Sequence, residues 1–235
     1  MLTTAGNTGG GMSVIKAVLF DLDETLIQRS GAIRAFIKDQ YARFATQLAG
    51  IGEGEYTSRF LDMEKNGIIG KDIVYPEFVE ALGITDVSGD TLLADYRQNY
   101  ANFASPSPGA VATVRALHNS GMKTGILTNG NVQVQNAKIA ALGLRDALET
   151  VVISEAVGLK KPDPAIFALA CGNLGIAART TLFVGDNPQV DIVGAAVAGL
   201  QTAWFRNGAQ WPDGLLPRAD IDIDRLDEVL HYPGR

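Results

Sequence analysis

The sequence predicts a doubly wound α/β fold: a parallel sheet covered on both faces, with a block of helices inserted after the first strand. Three observations carry this prediction. Short runs rich in β-branched apolar residues recur, each followed by a polar or glycine-containing turn. The later runs alternate with helical patterns, as parallel βαβ units require. The runs are nearly continuous in apolar residues rather than alternating, as befits strands buried on both faces. With 235 residues, 46% of them apolar, the chain can build one large domain or a domain with a smaller companion.

The elements follow in order. Residues 1–12 open with MLTTAGNTGGG and read as a disordered lead, without the basic start and apolar stretch of a secretory signal. VIKAVLF (14–20) is the first strand. From 28 to 105 no convincing strand occurs. Ile33, Phe36, Ile37, Tyr41, Phe44 and Leu48 recur at helical spacing, and so do Leu92, Leu93, Tyr96, Tyr100 and Phe103 after the start signal DVSGD. EYTSRFLDMEKNG and VYPEFVEALG supply further helices, with Gly67, Gly70 and Gly83 where helices should stop. SPSPG (105–109) returns the chain to the sheet. Val111, Val114 and Leu117 then share a helical face, as do Ile166, Leu169 and, less tightly, Leu174. KTGILT (123–128), TVVIS (150–154), TTLFVG (180–185) and QTAWF (201–205) are the remaining central strands, and IDIDRLDEVL is a short edge strand with a closing helix. The expected organisation is a core from 13–27 and 106–235 and a helical unit over 28–105.

In an open parallel sheet, ligands bind beyond the carboxyl ends of the strands. There the sequence places Asp21, Asp23 and Thr25; Thr128, Asn129 and Gly130; Lys160, Lys161 and Pro162; and Gly185, Asp186, Asn187 and Asp191. Each piece also has a plain structural use. Asp21, Asp23 and Asp191 could cap helices, Thr128-Asn129-Gly130 is a turn signal, and the lysines could be solvated. Jointly, four strand ends supply carboxylates, a hydroxyl, an amide and a cation. Close carboxylates repel, and burial makes this worse. A hard divalent cation held by Asp21 and Asp186 with a backbone carbonyl would compensate. Thr128 and Asn129 could donate to phosphate oxygens and a lysine could neutralise another. One carboxylate could then attack phosphorus, while the second protonates the leaving oxygen and later deprotonates water.

DLDETL, LTNG, KKPDP and GDNPQVD, in this order and at these strand ends, resemble the four motifs of the haloacid dehalogenase-like (HAD) hydrolase superfamily. The resemblance spans about 14–230 and implies a Rossmann-like core with a helical type 1 cap that closes over the site. It implies Asp21 as nucleophile, Asp23 as general acid/base and donor of a backbone carbonyl to Mg2+, Thr128 as the phosphate-binding hydroxyl with Asn129 beside it, Lys161 rather than its neighbour Lys160 as the motif lysine, Asp186 as a Mg2+ ligand, and Asp191 as support for the metal or the lysine. Dehalogenating members lack an acid at the position of Asp23. Phosphonate-cleaving members also depart there and use a cap lysine, for which Lys38, Lys65 and Lys71 are the cap candidates. The implied activity is a magnesium-dependent phosphomonoesterase acting on a small phosphorylated metabolite, of the nucleoside monophosphate or sugar phosphate class, through an aspartyl phosphate. A phosphomutase of the same fold, or a non-catalytic phosphoacceptor, is the alternative. Glu24 stands where many relatives have glycine. Arg29, Arg34 and Arg59 are polar candidates to face the site from the helical unit.

The formal net charge of −6 argues against nucleic-acid or membrane-surface binding. No run of about 18 apolar residues suits a membrane span, so the expected location is the cytoplasm, as monomer or homodimer. The lone Cys171 forms no intramolecular disulfide and reads as a small buried apolar residue. His118 and His231 lie near no second ligand or nucleophile pattern.

Overall fold

The computed structural model describes residues 14–232; the lead expected over 1–12 lies outside them. Six parallel strands form one sheet in the order β3-β2-β1-β4-β5-β6. In chain order the elements begin with β1 (Ala17–Phe20), followed by the inserted helices α1 (Arg29–Arg43), α2 (Glu53–Glu64), α3 (Lys71–Ala81) and α4 (Gly89–Asn99). Next come α5 (Ala110–Asn119), β2 (Lys123–Thr128), α6 (Val132–Ala141), β3 (Thr150–Ile153), α7 (Ser154–Val157) and α8 (Pro164–Leu174). The chain closes with β4 (Thr181–Gly185), α9 (Gly194–Val197), β5 (Gln201–Phe205) and β6 (Ile221–Ile223). All five expected central strands form. The first is shorter than its apolar run, because Val14 is left exposed at the sheet's margin. The expected edge strand is β6, and the closing helix is a tight 3-10 segment, Leu226–His231.

The chain starts at the middle of the sheet and winds outward in both directions, so the carboxyl ends of β1, β2 and β4 adjoin at the point where the winding reverses. Two apolar layers clamp this centre. Val18, Phe20, Ile126 and Val184 pack with Val114 and Leu117 of α5 and with Leu226 and Val229. On the other face, Leu19, Leu127 and Phe183 pack with Ile166, Phe167 and Ala170 of α8. Cys171 belongs to that second layer, as its apolar reading expects.

The inserted helices have an apolar core of their own, and among the described residues its only buried member from the sheet-bearing half is Val134 of α6. Phe36 stands at its centre, with Tyr96, Tyr100 and Phe103 edge-on at 5.6–5.7 Å. The buried amide of Gln40 accepts hydrogen bonds from Tyr56 and Tyr75 and donates to Leu92 O and Asp95. A buried amide is tolerated because these bonds use its donors and acceptor. The chain enters and leaves the insertion side by side: Gln28 N donates to Ser105 O at 3.0 Å, and Ser107 N donates to Leu26 O at 2.9 Å. No helix among the described residues is long and apolar enough to cross a membrane.

Candidate active site

Asp21 still belongs to the sheet, for its N–H donates to Val184 O at 2.9 Å. The backbone then turns sharply, with Leu26 N and Ile27 N both donating to Leu22 O. The two acids therefore part company. Asp21 is buried against β4 and its following loop; Asp23 faces α6 and the inserted helices. Glu24 takes a left-handed backbone, φ 63°, where glycine would be unstrained. Its carboxylate accepts from Ser30 N at 2.6 Å and so caps the first turn of α1, which has no side-chain cap of its own.

The ammonium of Lys161 lies 2.5 Å from Asp21 Oδ1 and 2.7 Å from Asp191 Oδ1. Lys160 is exposed, so of the two lysines it is Lys161 that reaches the acids. Asp21, Asp186 and Asp191 each bring a carboxylate oxygen within 4.8 Å of the others. This closeness requires glycine at 185, where a Cβ would come 2.6 Å from Asp191. Asp191 does not cap a helix but lies inside the helical segment Pro188–Val193, whose N-cap is Asn187. Asn187 Oδ1 accepts from Gln189 N and Val190 N, while Asp191 Oδ2 accepts from Asn187 N. Buried Trp204 donates to Asp186 O at 2.7 Å and holds that loop, and Trp211 packs edge-on against it. Both tryptophans are loop anchors here.

From β2, the Thr128 hydroxyl accepts from Gln135 Nε2 at 2.7 Å. Asn129 is a clip between loops: its amide donates to Lys161 O at 3.0 Å, and its Oδ1 accepts from Lys161 N at 2.9 Å. Its side chain thus orients the lysine. Asp23 is met by two residues that sequence reasoning did not single out, both on α6. Lys138 Nζ lies 2.7 and 2.9 Å from its two oxygens, and Gln135 Nε2 donates to it at 3.0 Å. The available signal was their i, i+3 spacing on the helix directly after Thr128-Asn129-Gly130. Arg29 is buried and ion-paired with Glu64, which Lys71 also meets at 2.8 Å. Arg34 and Arg59 are exposed and line neither of the two chambers at the site.

The electrostatics separate the acids. Burial, reinforced by Asp191, outweighs Lys161 and pushes Asp21 up to about 7. Burial with the charges of Asp191 and Asp21 pushes Asp186 up to about 9. Lys161, shared between two acids, is held well above the usual lysine range although burial opposes this. For Asp23, burial is outweighed by Lys138 and Arg29, which hold it below the usual carboxylate range. Three clustered carboxylates, two buried and one half-buried, thus have one lysine among them, bonded to Asp21 and Asp191, and the cluster lacks positive charge. Its donors are hard oxygens, the set that Mg2+ and similar cations take.

Two chambers meet here. One, of about 560 Å3, is lined by Asp21, Thr128, Lys161, Asp186 and Asp191. The other, of about 300 Å3, lies toward the inserted helices between Lys71, Tyr96, Arg97, Gln135 and Lys138. Asp23 and Arg29 line both.

Residues 15–199 match the family model of the haloacid dehalogenase-like hydrolases. The chain belongs to that family. A pyrimidine 5'-nucleotidase of Escherichia coli, YjjG, is 30% identical over 91% of this chain and 96% of its own length. A glyceraldehyde 3-phosphate phosphatase of Methanopyrus kandleri is 32% identical over 92% of this chain and 96% of its own. Among solved structures, a HAD phosphatase from Thermococcus onnurineus superposes with a TM-score of 0.70 at 27% identity, covering 92% of this chain and 97% of that one. The expected resemblance thus holds, and this HAD-like hydrolase is placed with the phosphatase branch, on the expected parallel α/β core.

Proposed function

We propose that this HAD-like hydrolase is a magnesium-dependent phosphomonoesterase that works through an aspartyl phosphate on a nucleoside monophosphate or sugar phosphate. The observation that carries the reading is the cluster of Asp21, Lys161, Asp186 and Asp191 at the strand ends, with Asp23 two residues on, where the two chambers meet. Asp21, Asp186 and the backbone carbonyl of Asp23 would hold Mg2+. When bound, the ion offsets the acids' charge and withdraws charge from the phosphoryl oxygens.

The chain's own groups divide the work. Lys161 fixes Asp21 and neutralises charge on the phosphoryl group, and the Thr128 hydroxyl hydrogen-bonds an oxygen of that group. An Asp21 carboxylate oxygen forms a bond to phosphorus as the ester oxygen leaves, taking a proton from the Asp23 carboxyl, which is ionised in the free site and which the negative charge of the bound phosphate pushes back toward its protonated form. Asp23 then takes a proton from water as it attacks phosphorus, and the bond to Asp21 breaks. The smaller chamber beside Asp23 receives the leaving group. Asp23 also separates this chain from the dehalogenating members, which lack that acid.

The expected result is release of phosphate from p-nitrophenyl phosphate with Mg2+, stopped by a chelator. No release from that reagent or from a panel of nucleotides, sugar phosphates and small organic phosphates would defeat the reading.

The same cluster predicts a pH-dependent metal effect. The Asp21 and Asp186 carboxyls titrate higher folded than unfolded, so the folded protein binds more protons from about pH 4 to 9. Without metal, their contribution to stability falls as pH rises through that window. Mg2+ should therefore raise the melting temperature more at pH 8 than at pH 5. Thermal unfolding with and without Mg2+ checks this, and a shift of equal size at both pH values would contradict it.

A further inference from the structure

We propose that Lys138 and Gln135 are positioning residues for Asp23: from α6 they hold its carboxylate on the leaving-group side, away from the acidic cluster. The inference rests on the phosphatase reading and deepens it.

Asp23 follows Asp21 by two residues, at a turn, beside three other carboxylates and the place a divalent cation would occupy. A free carboxylate there would be drawn onto such a cation and would lose its reach to the ester oxygen. The structure supplies a competitor. Lys138 grips both oxygens of Asp23 at 2.7 and 2.9 Å, and its side chain is only 3% exposed, so little water weakens the grip. Gln135 Nε2 adds a third donor at 3.0 Å, and the same nitrogen donates to Thr128 Oγ1 at 2.7 Å. One amide thereby ties the acid/base to the hydroxyl assigned to the phosphoryl group. The pair also has a roof. Lys138 Nζ lies 4.8 Å from the centroid of Tyr100, at the end of the inserted helices. The Tyr100 hydroxyl is buried and has no hydrogen-bond partner among the described residues. A buried ion pair is a poor way to add stability, since apolar replacements often serve as well. The position of this one, on the wall between the two chambers, points to aiming a carboxylate.

The test uses the full chain with Mg2+ and two esters: p-nitrophenyl phosphate, whose leaving group needs little protonation, and the alkyl phosphate it turns over fastest. A misaimed acid hurts the alkyl ester more. We expect Lys138→Met to lower kcat/KM for the alkyl ester at least about tenfold more than for the aryl ester, a fraction of what a general acid typically contributes. Gln135→Leu should do the same to a smaller extent, and Lys138→Arg should restore most of the loss. Lys138→Met should also lower kcat for p-nitrophenyl phosphate, which needs water activation, yet add no further loss in an Asp23→Asn background, because it acts through Asp23. Should Lys138→Met not unfold cooperatively, Gln135→Leu and Lys138→Arg carry the same comparison. Equal losses on both esters, or losses that add to Asp23→Asn, would overturn the role of Lys138 and leave the phosphatase reading standing. A wild-type protein inactive on both esters and on the wider panel would overturn that reading and this inference with it.

Discussion

Asp21→Asn is expected to abolish phosphate release, lowering kcat by at least about 10,000-fold, while leaving the protein folded. The size follows from the role proposed for Asp21: removing a nucleophile removes the reaction path that all the other groups serve. Asparagine nearly matches aspartate in shape but offers no anionic oxygen to attack phosphorus. The fold should tolerate it well. Asp21 is 6% exposed and lies close to two other acids, and its carboxyl already titrates near 7. An amide there loses the attraction to Lys161 but removes a buried charge and its repulsions. Without Mg2+ the melting temperature should stay level or rise, and the stabilisation by Mg2+ should shrink, because a proposed ligand is gone. Phosphate release and thermal unfolding, each with and without Mg2+, check both halves. Substantial residual turnover would show that another atom makes the bond to phosphorus.

Lys161→Met should have the largest effect on stability, about 3–5 kcal/mol, as when one member of a buried ion pair is removed. For a chain of this size that is a fall of ~6–20 °C in melting temperature. The ammonium is 2% exposed and sits between Asp21 and Asp191 at 2.5 and 2.7 Å. Removing it leaves three carboxylates facing one another with no cation from the chain. Turnover should be lost as well. High Mg2+ should recover part of the melting temperature but not the activity, since a cation restores charge balance without holding Asp21 in line. A melting temperature that does not move would mean that Lys161 does not carry the charge balance of the cluster.

Much of this was legible in the sequence because strand ends in an open parallel sheet converge. Once the runs ending at Phe20, Thr128 and Gly185 are read as parallel strands, Asp21, Thr128 and Asp186 must come together, whatever the details. Lys161 was harder, for only its position before Pro162 distinguished it from Lys160; in three dimensions one is buried and the other exposed. Lys138 was harder still, for its i, i+3 spacing with Gln135 says nothing of burial. Nothing local marks it as buried, and its partner lies 115 residues away. Arg29 and Glu64 pose the same difficulty, since charged residues on helices are ordinarily solvated. The use of Asn129 was hidden for another reason. An amide in a turn can serve its own loop or a neighbouring one, and the clip onto Lys161 depends on how closely the loops after β2 and β3 approach.

The paired crossing at Gln28 and Ser105, with Ser107 bonded back to Leu26, has an evolutionary consequence. The inserted helices also pack on α6, but the chain enters and leaves them at adjacent points. Such a module can be lengthened, rebuilt or exchanged for another without redrawing a strand or displacing Asp21. The sheet and the inserted helices are thereby free to diverge at different rates within one lineage.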